Sequence, residues 1–273
     1  MRTDVVVVGG GSAGLQAALT LGRMQFDVAV VDAGSPSNAP AHTIGGLLGA
    51  HDLAPLDFLA RGREQLAELP SVRLIDGEVA RVDADRTVTL ADGTVLAARA
   101  VVLATGGDYA FPDIPGAAEL WGASVIHCPF CHGWEVRESR IGVLTASEEH
   151  AAQFVPLVQA LSGDVEVFDA VTGVRSEGGV LRAVVLPDGS EVERDVLFVA
   201  APPVPRDAAF ADLPLERDDQ GLLKTDKFGR TSVEGVYAAG DLVTAPQAVS
   251  QAIATGQRAG VGVTRDLTAN RHA

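Results

Sequence analysis

The strongest constraint on the fold of this chain is a short glycine-rich stretch near its amino end. Gly9, Gly11 and Gly14 follow the spacing G-x-G-x-x-G. They come directly after the apolar run Val5–Val8 and before Leu15–Met24, a segment with a helical pattern of apolar residues. This order predicts a buried strand, a tight turn and a helix, because a run of valines favours a strand and glycine allows the backbone to turn sharply.

The same stretch indicates a nucleotide-binding site once the next strand is added. A second apolar run, Val28–Val31, ends at Asp32, which completes a βαβ unit. In such a unit Gly9 allows the tight turn, Gly11 lets the backbone approach a pyrophosphate, and Gly14 lets the helix pack closely on the strand. The helix amino end offers N–H groups to the phosphates, and Asp32 is placed to accept hydrogen bonds from a ribose. A glycine turn without a ligand is the alternative.

The composition narrows the class of protein. The chain has 273 residues, of which 47% are hydrophobic, so it can bury a core in one large or two small domains. Its formal net charge of -15 disfavours nucleic acid and anionic membranes as partners. A strand is predicted almost from the first residue and no apolar run is long enough to cross a bilayer, so we expect a cytoplasmic protein.

The only two cysteines, Cys128 and Cys131, stand in the stretch HCPFCHGWE at residues 127–135. A zinc site needs four N or S ligands, and His127 and His132 adjoin the two thiols too closely to complete a tetrahedron well. A c-type haem attachment fits the order C-x-x-C-H but requires an exported protein. A redox dithiol and a pair of inert buried cysteines are the other possibilities. We expect no metal ion.

A redox dithiol explains this stretch best. A C-x-x-C loop closes a disulfide without a large movement, and in the cytoplasm such a pair is more often catalytic than structural. His132 titrates near neutrality, so it can give and take the proton that accompanies thiol chemistry. We therefore predict that Cys128, Cys131 and His132 are the catalytic residues. His127 has the commoner structural interpretation of a hydrogen-bonded neighbour.

The rest of the chain alternates between predicted strands and helices, as in an α/β protein. Two irregular stretches, FPDIPG from residue 111 and APPVPR at 201–206, are predicted to cross between domains, because proline and glycine interrupt regular structure. Residues 35–50 form a long loop. The other predicted elements are a helix at 53–69, strands at 72–75, 78–82, 87–90 and 101–104, then strand 141–144, helix 148–161, strand 165–168, short strands near 171–175, 180–186 and 191–200, a strand within 231–243 and a helix at 247–267.

Five stretches together resemble one family, the low-molecular-weight thioredoxin reductases and related flavin disulfide oxidoreductases. They are VVVVGGGSAGLQAA at the start, LATGG at 103–107, IPG at 114–116, CPFCHG at 128–133 and TSVEGVYAAGDL near the end. They occur in the family's order and span nearly the whole chain. The resemblance implies two Rossmann-like domains, the second inserted into the first. By this analogy, 1–113 and 231–273 form an FAD-binding domain, and 114–230 form a truncated NAD(P)-type domain that carries the cysteines.

The resemblance also implies which residues hold the FAD. Asp241 would hold the ribityl chain of the flavin, and the backbone at Gln247 and Ala248 would approach the isoalloxazine edge. The long 35–50 loop, with Asn38, would border the flavin or the substrate. The full set of cofactor-binding residues implied in this way is Gly9, Gly11, Gly14, Asp32, Asn38, Val79, Ala104, Thr105, Gly106, Gly240, Asp241, Gln247 and Ala248.

In the resembled family the two cysteines have different roles. By this analogy Cys131 would sit nearer the flavin and Cys128 would exchange with the substrate. The position after the second cysteine is usually an aspartate in the family, whereas this chain has His132, as do some oxidase-like relatives. The resemblance further implies a homodimer.

A second nucleotide site, which the resemblance would place after the strand at 141–144, departs from the family's pattern. The chain reads TASEEH at 145–150, without a glycine, and Glu148 and Glu149 would repel a pyrophosphate. The next strand is followed by Asp169 rather than by basic residues that could grip a 2′-phosphate. A helix and a strand expected after it are missing. The binding of NAD(P)H is therefore doubtful.

Three electron routes remain open from the sequence. The protein could oxidise a dithiol and pass the electrons through FAD to oxygen, or it could be a reductase fed by a ferredoxin. It could also be an NAD(P)H-dependent thioredoxin reductase with a divergent nucleotide site. The substrate could be a small redoxin protein or a small-molecule dithiol. A flavin-binding scaffold without catalysis is the alternative from another class.

Overall fold

The structure is a computed structural model in which residues 1–145 and 147–269 are described. It is an α/β protein, as the sequence predicts. In chain order, the elements are β1 (Arg2–Val8), α1 (Ser12–Arg23), β2 (Val28–Asp32), α2 (Pro55–Ala67), β3 (Val72–Asp76), β4 (Val79–Val82), β5 (Thr87–Leu90), β6 (Val95–Leu103), β7 (Gly107–Tyr109), β8 (Val125–Ile126), α3 (Pro129–His132), β9 (Ile141–Leu144), α4 (Glu148–Gln159), β10 (Val165–Phe168), β11 (Gly173–Glu177), β12 (Val180–Val185), β13 (Glu191–Glu193), β14 (Val196–Val199), β15 (Pro203–Pro205), β16 (Val236–Ala238) and α5 (Val249–Ala269).

The chain divides into two compact units. The first consists of Met1–Ser37, Leu56–Asp108 and the described residues from Val204 onward, and the second of Asn38–Pro55 and Tyr109–Pro203. These bounds differ from the predicted domains at residues 38–55, 109–113 and 204–230. Residues 204–230 belong to the first unit, because Phe210 and its neighbours pack into the core of that unit's sheet. Residues 38–55 leave the first unit and join the second, which no local pattern indicates.

A seven-stranded sheet forms the centre of the first unit. Its order is β3-β2-β1-β6-β5-β4, and β16 also pairs with β6. Strand β1 lies between β2 and β6 and is parallel to both. Val5 and Val7 pack into the core on one face of the sheet, and Val6 and Val8 into the core on the other. Both faces are covered, which explains why β1 is apolar at successive positions rather than at alternate ones.

Helices α1 and α5 pack against each other through small residues. A Cβ added at Gly256 of α5 would lie 2.1 Å from the carbonyl oxygen of Ala13 in α1. One added at Gly260 would lie 2.8 Å from the Cβ of Thr20. The two backbones can approach this closely only because both positions are glycine. The contact fixes the first turn of α1, which follows the glycine-rich stretch.

The second unit is built on a smaller sheet with the parallel order β10-β9-β14-β8. A separate antiparallel sheet, β11-β12-β13, follows β10 directly. Among the described residues, no helix or strand intervenes between β10 and β11. The βαβ unit of this domain is therefore reduced to β9, α4 and β10, as the sequence predicts. The single strand predicted at 191–200 is wrong, since β13 and β14 belong to different sheets.

No helix among the described residues is long and apolar enough to span a membrane.

Candidate active site

Two glycines of the first motif are required by packing within the first unit. Gly9 has a φ of 103°, a left-handed conformation that favours glycine, and a Cβ there would lie 2.3 Å from the carbonyl oxygen of Ala104. A Cβ at Gly14 would lie 1.9 Å from the carbonyl oxygen of Gly9. These contacts bring the ends of β1 and β6 together with the start of α1. The resemblance assigns the same residues, Ala104 included, to the cofactor site.

Gly11, the middle glycine of the motif, differs from the other two because it faces open space. It is the N-cap residue of α1, and no side chain caps this helix end. A Cβ added there would meet nothing within 4 Å. The first N–H groups of a helix point away from its body and favour an anion. The first turn of α1 is thus an open cradle with the shape and polarity that suit a phosphate.

Asp32 is held in place from two sides at the end of β2. The backbone N–H of Gly10 donates to its Oδ1 at 3.0 Å, and Nη1 of Arg63 lies 3.2 Å from its Oδ2. Arg63 also forms an ion pair with Asp76 at the end of β3. The carboxylate is oriented before any ligand arrives and keeps lone pairs for ribose hydroxyls. The sequence did not indicate Arg63, because it comes from α2, 31 residues further along the chain.

Asp241 lies after β16 and is half-buried. Burial raises the pKa of its carboxyl to about 6. Asp241 is half-buried and accepts no hydrogen bond from the described residues, so the position suits a ligand that brings hydroxyl groups. A ribityl chain has that chemistry.

Asp241→Asn should make the cofactor-free protein more stable at pH 7. The pKa of about 6 in the folded state lies above the usual 3.8, so ionisation opposes folding. The stability of the unsubstituted protein should fall as the pH rises from about 4 to 6, by at most about 3 kcal/mol. Urea unfolding at several pH values measures this change. The exposed Asp52→Asn serves as control, and an equal pH dependence in Asp241→Asn would contradict the assignment.

The remaining residues of the predicted cofactor set are spread over the first unit, with one exception. The Thr105 hydroxyl donates to the carbonyl oxygen of Arg206 at 2.6 Å, and the N–H of Arg206 donates to the Gly106 carbonyl at 3.0 Å. Val79 is on β4, Gly240 begins the turn that contains Asp241, and Gln247 and Ala248 directly precede α5. Asn38 is the exception, because it belongs to the second unit.

The two cysteines form a disulfide within the second unit. Their Cα atoms are 5.3 Å apart, and Cys128 is the N-cap of the short helix α3. The backbone N–H of Cys131 donates to the Sγ of Cys128 at 3.1 Å. A hydrogen bond of this kind favours a thiolate at Cys128 once the disulfide is reduced, because charge on sulfur is stabilised by a donor.

His132 follows the second cysteine, and its ring lies largely inside the protein. Both ring nitrogens are buried and, within the described chain, neither has a partner with hydrogen-bond geometry. Burial lowers the pKa of His132, and the charge of His42 lowers it further. The backbone of Cys128 and the carboxylate of Glu135 raise it in part. The imidazole is therefore neutral near pH 7, which is the form that accepts a proton.

His127, on the other side of the pair, belongs to an aromatic cluster. Its ring centroid lies 4.1 Å from that of Tyr109 and 5.3 Å from that of Trp121, on which it stacks at 20°. Burial, and then the charge of His132, lower its pKa to about 4. No hydrogen bond to its ring occurs in the part of the chain that the structure describes, so the predicted hydrogen-bonded neighbour is instead a stacked, neutral ring.

The loop at residues 38–55 packs against the disulfide-bearing turn, a contact that the sequence did not indicate. A Cβ at Gly45 would lie 2.7 Å from the carbonyl oxygen of Cys131 and 3.2 Å from Oε1 of Glu135. A Cβ at Gly46 would lie 3.7 Å from the carbonyl oxygen of Phe130. The only signal in the sequence was the length of this loop, because its contact spans more than 80 residues of chain.

Exposed aromatic side chains flank the disulfide. Phe130, between the cysteines, and Trp134, after them, are each 72% exposed. The guanidinium of Arg137 lies over the Trp134 ring at 3.8 Å. Two exposed aromatic side chains on one turn beside the disulfide offer apolar surface that suits contact with another molecule.

The start of α4, where a second nucleotide would bind, has the opposite character from the start of α1. The hydroxyl of Ser147 caps α4 by accepting the N–H of His150 at 3.1 Å. Glu148 and Glu149 occupy the first turn. A capped helix end that carries two carboxylates disfavours a pyrophosphate.

Comparisons with known proteins show the family to which the chain belongs. A sequence profile of the family described as pyridine nucleotide-disulphide oxidoreductase matches residues 3–155 and 164–256. The thioredoxin reductase tcpT of Claviceps purpurea (strain 20.1) is 31% identical over 310 residues, with 98% of this chain and 96% of that protein covered. The thioredoxin reductase sirT of Leptosphaeria maculans is 31% identical over 304 residues, with 95% and 93% covered. The crystal structure of HlmI has a TM-score of 0.93 at 35% identity and covers 99% of this chain and 94% of its own.

The chain belongs to the pyridine nucleotide-disulphide oxidoreductase family, and within it to the low-molecular-weight, thioredoxin reductase-like enzymes. It is thus an oxidoreductase with the α/β fold and two Rossmann-like sheets of that family. The family implies FAD as cofactor. The open cradle at Gly11 fits this group, and so does the half-buried carboxylate of Asp241, which accepts no hydrogen bond from the described part of the chain.

Proposed function

We propose that the protein is an FAD-dependent thiol–disulfide oxidoreductase in which the Cys128–Cys131 disulfide exchanges electrons with a thiol substrate, without ordinary binding of NADPH. The observation that carries the proposal is the disulfide beside a neutral, buried histidine. The protein has no other cysteine, so all thiol chemistry must pass through this pair.

The chemistry at the disulfide follows from the positions of its groups. One thiol of a dithiol substrate attacks the Sγ of Cys128 and gives its proton to His132, while Cys131 leaves as a thiolate. The second substrate thiol then attacks the mixed disulfide and releases Cys128. The products are a substrate disulfide and two enzyme thiols, so two electrons and two protons reach the protein. The N–H of Cys131 stabilises Cys128 as it leaves.

Bound FAD would supply the two-electron acceptor that returns the dithiol to the disulfide. In the proposed site the first turn of α1 at Gly11 holds the pyrophosphate, Asp32 the adenosine ribose and Asp241 the ribityl chain. Gly9 and Gly14 allow the close packing that this turn needs. The other residues of the predicted set keep the roles that the resemblance implies.

The start of α4 supports the part of the proposal that concerns NADPH. Glu148 and Glu149 stand where phosphates would lie, and the chain goes from β10 directly into the β11-β12-β13 sheet. Without NADPH, electrons leave to oxygen when a dithiol is oxidised, or arrive from a protein such as a ferredoxin. An NADPH-dependent thioredoxin reductase is the second candidate, favoured by the names of the similar tcpT and sirT.

Titration of thiols tests the proposal and separates it from the second candidate. The oxidised enzyme should show no free thiol, and treatment with excess dithiothreitol followed by removal of the reagent, both without oxygen, should give two per chain. NADPH at 1 mM, about the upper end of ordinary Michaelis constants, should release none. Two thiols after NADPH alone would support the second candidate, and none after dithiothreitol would refute exchange at this pair.

The partner of the enzyme is a thiol or disulfide compound, and we propose a small redoxin protein or a small-molecule dithiol. The exposed rings of Phe130 and Trp134 beside the disulfide support contact with either. A homodimer in the cytoplasm, with no nucleic acid partner, stays a prediction from sequence and resemblance.

A further inference from the structure

The loop at residues 38–55 can lie against the disulfide-bearing turn because residue 45 is glycine. Gly45 is close to two groups of that turn, the carbonyl oxygen of Cys131 and the carboxylate of Glu135. The loop is itself ordered, since the N–H of Ile44 donates to the Leu53 carbonyl at 2.9 Å and Ile44 is buried. Any side chain at residue 45 would displace either the turn or the carboxylate. Glycine at residue 45 therefore leaves room for the carboxylate of Glu135 beside the loop.

Glu135 is three residues after His132, in the turn that follows α3. The N–H of Val136 donates to the His132 carbonyl at 3.3 Å, so this turn keeps a helix-like path. Side chains three residues apart lie on the same side of such a turn. Burial lowers the pKa of His132, and the carboxylate of Glu135 acts in the opposite direction.

We propose that Glu135, for which the glycine at residue 45 leaves room, is a positioning residue that stabilises the protonated imidazole of His132 during thiol–disulfide exchange. The inference rests on the proposed function and adds a residue to it. His132 must accept a proton in a buried place where neither ring nitrogen has a partner. A carboxylate nearby offsets the cost of that positive charge.

Burial and three neighbouring groups act on the pKa of His132. Burial opposes protonation, Glu135 and the Cys128 backbone favour it, and His42, on the loop, opposes it. His127 interacts with His132 as well but stays neutral at physiological pH, and the disulfide does not titrate. Loss of the Glu135 charge should therefore lower the pKa of His132 and weaken it as a base.

Two pairs of matched variants test the inference. Glu135→Gln removes the charge, and Glu138→Gln removes a charge from an exposed residue in the same segment that does not act on His132. Gly45→Ala places a Cβ against the Cys131 carbonyl and Glu135, whereas Gly46→Ala meets only an ordinary contact at 3.7 Å. The pKa of His132 is read from its ring proton resonance in the oxidised holoenzyme, assigned by its loss in His132→Gln. The rate of reduction by dithiothreitol is measured across pH on the same samples.

We expect Glu135→Gln and Gly45→Ala to lower the pKa of His132 and to slow exchange about fivefold at pH 7. Glu138→Gln and Gly46→Ala should match the unsubstituted enzyme in both measurements. An unchanged His132 resonance in Glu135→Gln, or an equal shift in Glu138→Gln, would overturn the inference. If the resonance shifts as expected but dithiothreitol fails to reduce the unsubstituted enzyme, Glu135 acts on His132 and the proposed function is wrong.

Discussion

Cys131→Ser should give a protein that forms a mixed disulfide between Cys128 and a disulfide substrate but cannot resolve it. After reduction, the Cys128 thiolate attacks oxidised glutathione, one glutathione leaves, and a mixed disulfide remains. The second thiol that would resolve this adduct is missing, so turnover should fall by about a thousandfold or more. Because no other cysteine exists, mass spectrometry should find one glutathionyl group per chain.

Cys128→Ser is the matched variant for the same experiment. It should also lose turnover, but it should form the adduct more slowly, because the remaining Cys131 lacks the N–H donor that Cys128 has. Fast adduct formation in Cys128→Ser and none in Cys131→Ser would reverse the roles of the two cysteines. Full turnover in either variant would end the proposal of a catalytic pair.

The second large effect concerns Gly14 and Gly11 of one motif. We expect substitution of Gly14 to lower stability and substitution of Gly11 to weaken cofactor binding. Gly14→Ala places a Cβ 1.9 Å from a backbone oxygen, so the protein should lose about 3 kcal/mol of stability even without cofactor. Gly11→Ala places its Cβ in open space. The cofactor-free Gly11→Ala protein should therefore unfold at the same urea concentration as the unsubstituted one.

FAD binding should separate the two variants further. If Gly11 lies against the pyrophosphate, Gly11→Ala should weaken FAD binding by about tenfold or more, because its methyl group occupies the cradle. Titration of the cofactor-free protein with FAD, followed by fluorescence, measures this. Unchanged FAD affinity in Gly11→Ala would place the pyrophosphate elsewhere.

Features that depend on neighbouring residues were predictable from the sequence. The βαβ unit at the amino end has its strand, glycines and helix within 32 residues, and the structure has them at nearly the predicted bounds. The cysteine pair is equally local. The reduced second βαβ unit was also predictable, because the Gly178-Gly179 turn follows the strand at 165–168 too closely to leave room for another helix and strand.

Features that depend on distant parts of the chain were not predictable in this way. Residues 38–55 join the second unit through backbone contacts at Gly45, and residues 204–230 join the first through buried side chains such as Phe210. Neither contact leaves a periodic pattern. Arg63 was missed for a related reason, since a charged residue on a helix usually lies in solvent and only its partner gives it a role.

The route by which electrons enter is tested most directly by the visible absorption of the bound flavin under anaerobic conditions. The holoenzyme receives first NADPH, then NADH, and then dithiothreitol. We expect the absorption to remain with both nucleotides and to bleach with the dithiol, which would place electron entry at Cys128–Cys131. Rapid bleaching with NADPH alone would contradict this and would make the protein a nucleotide-dependent reductase despite the acidic start of α4.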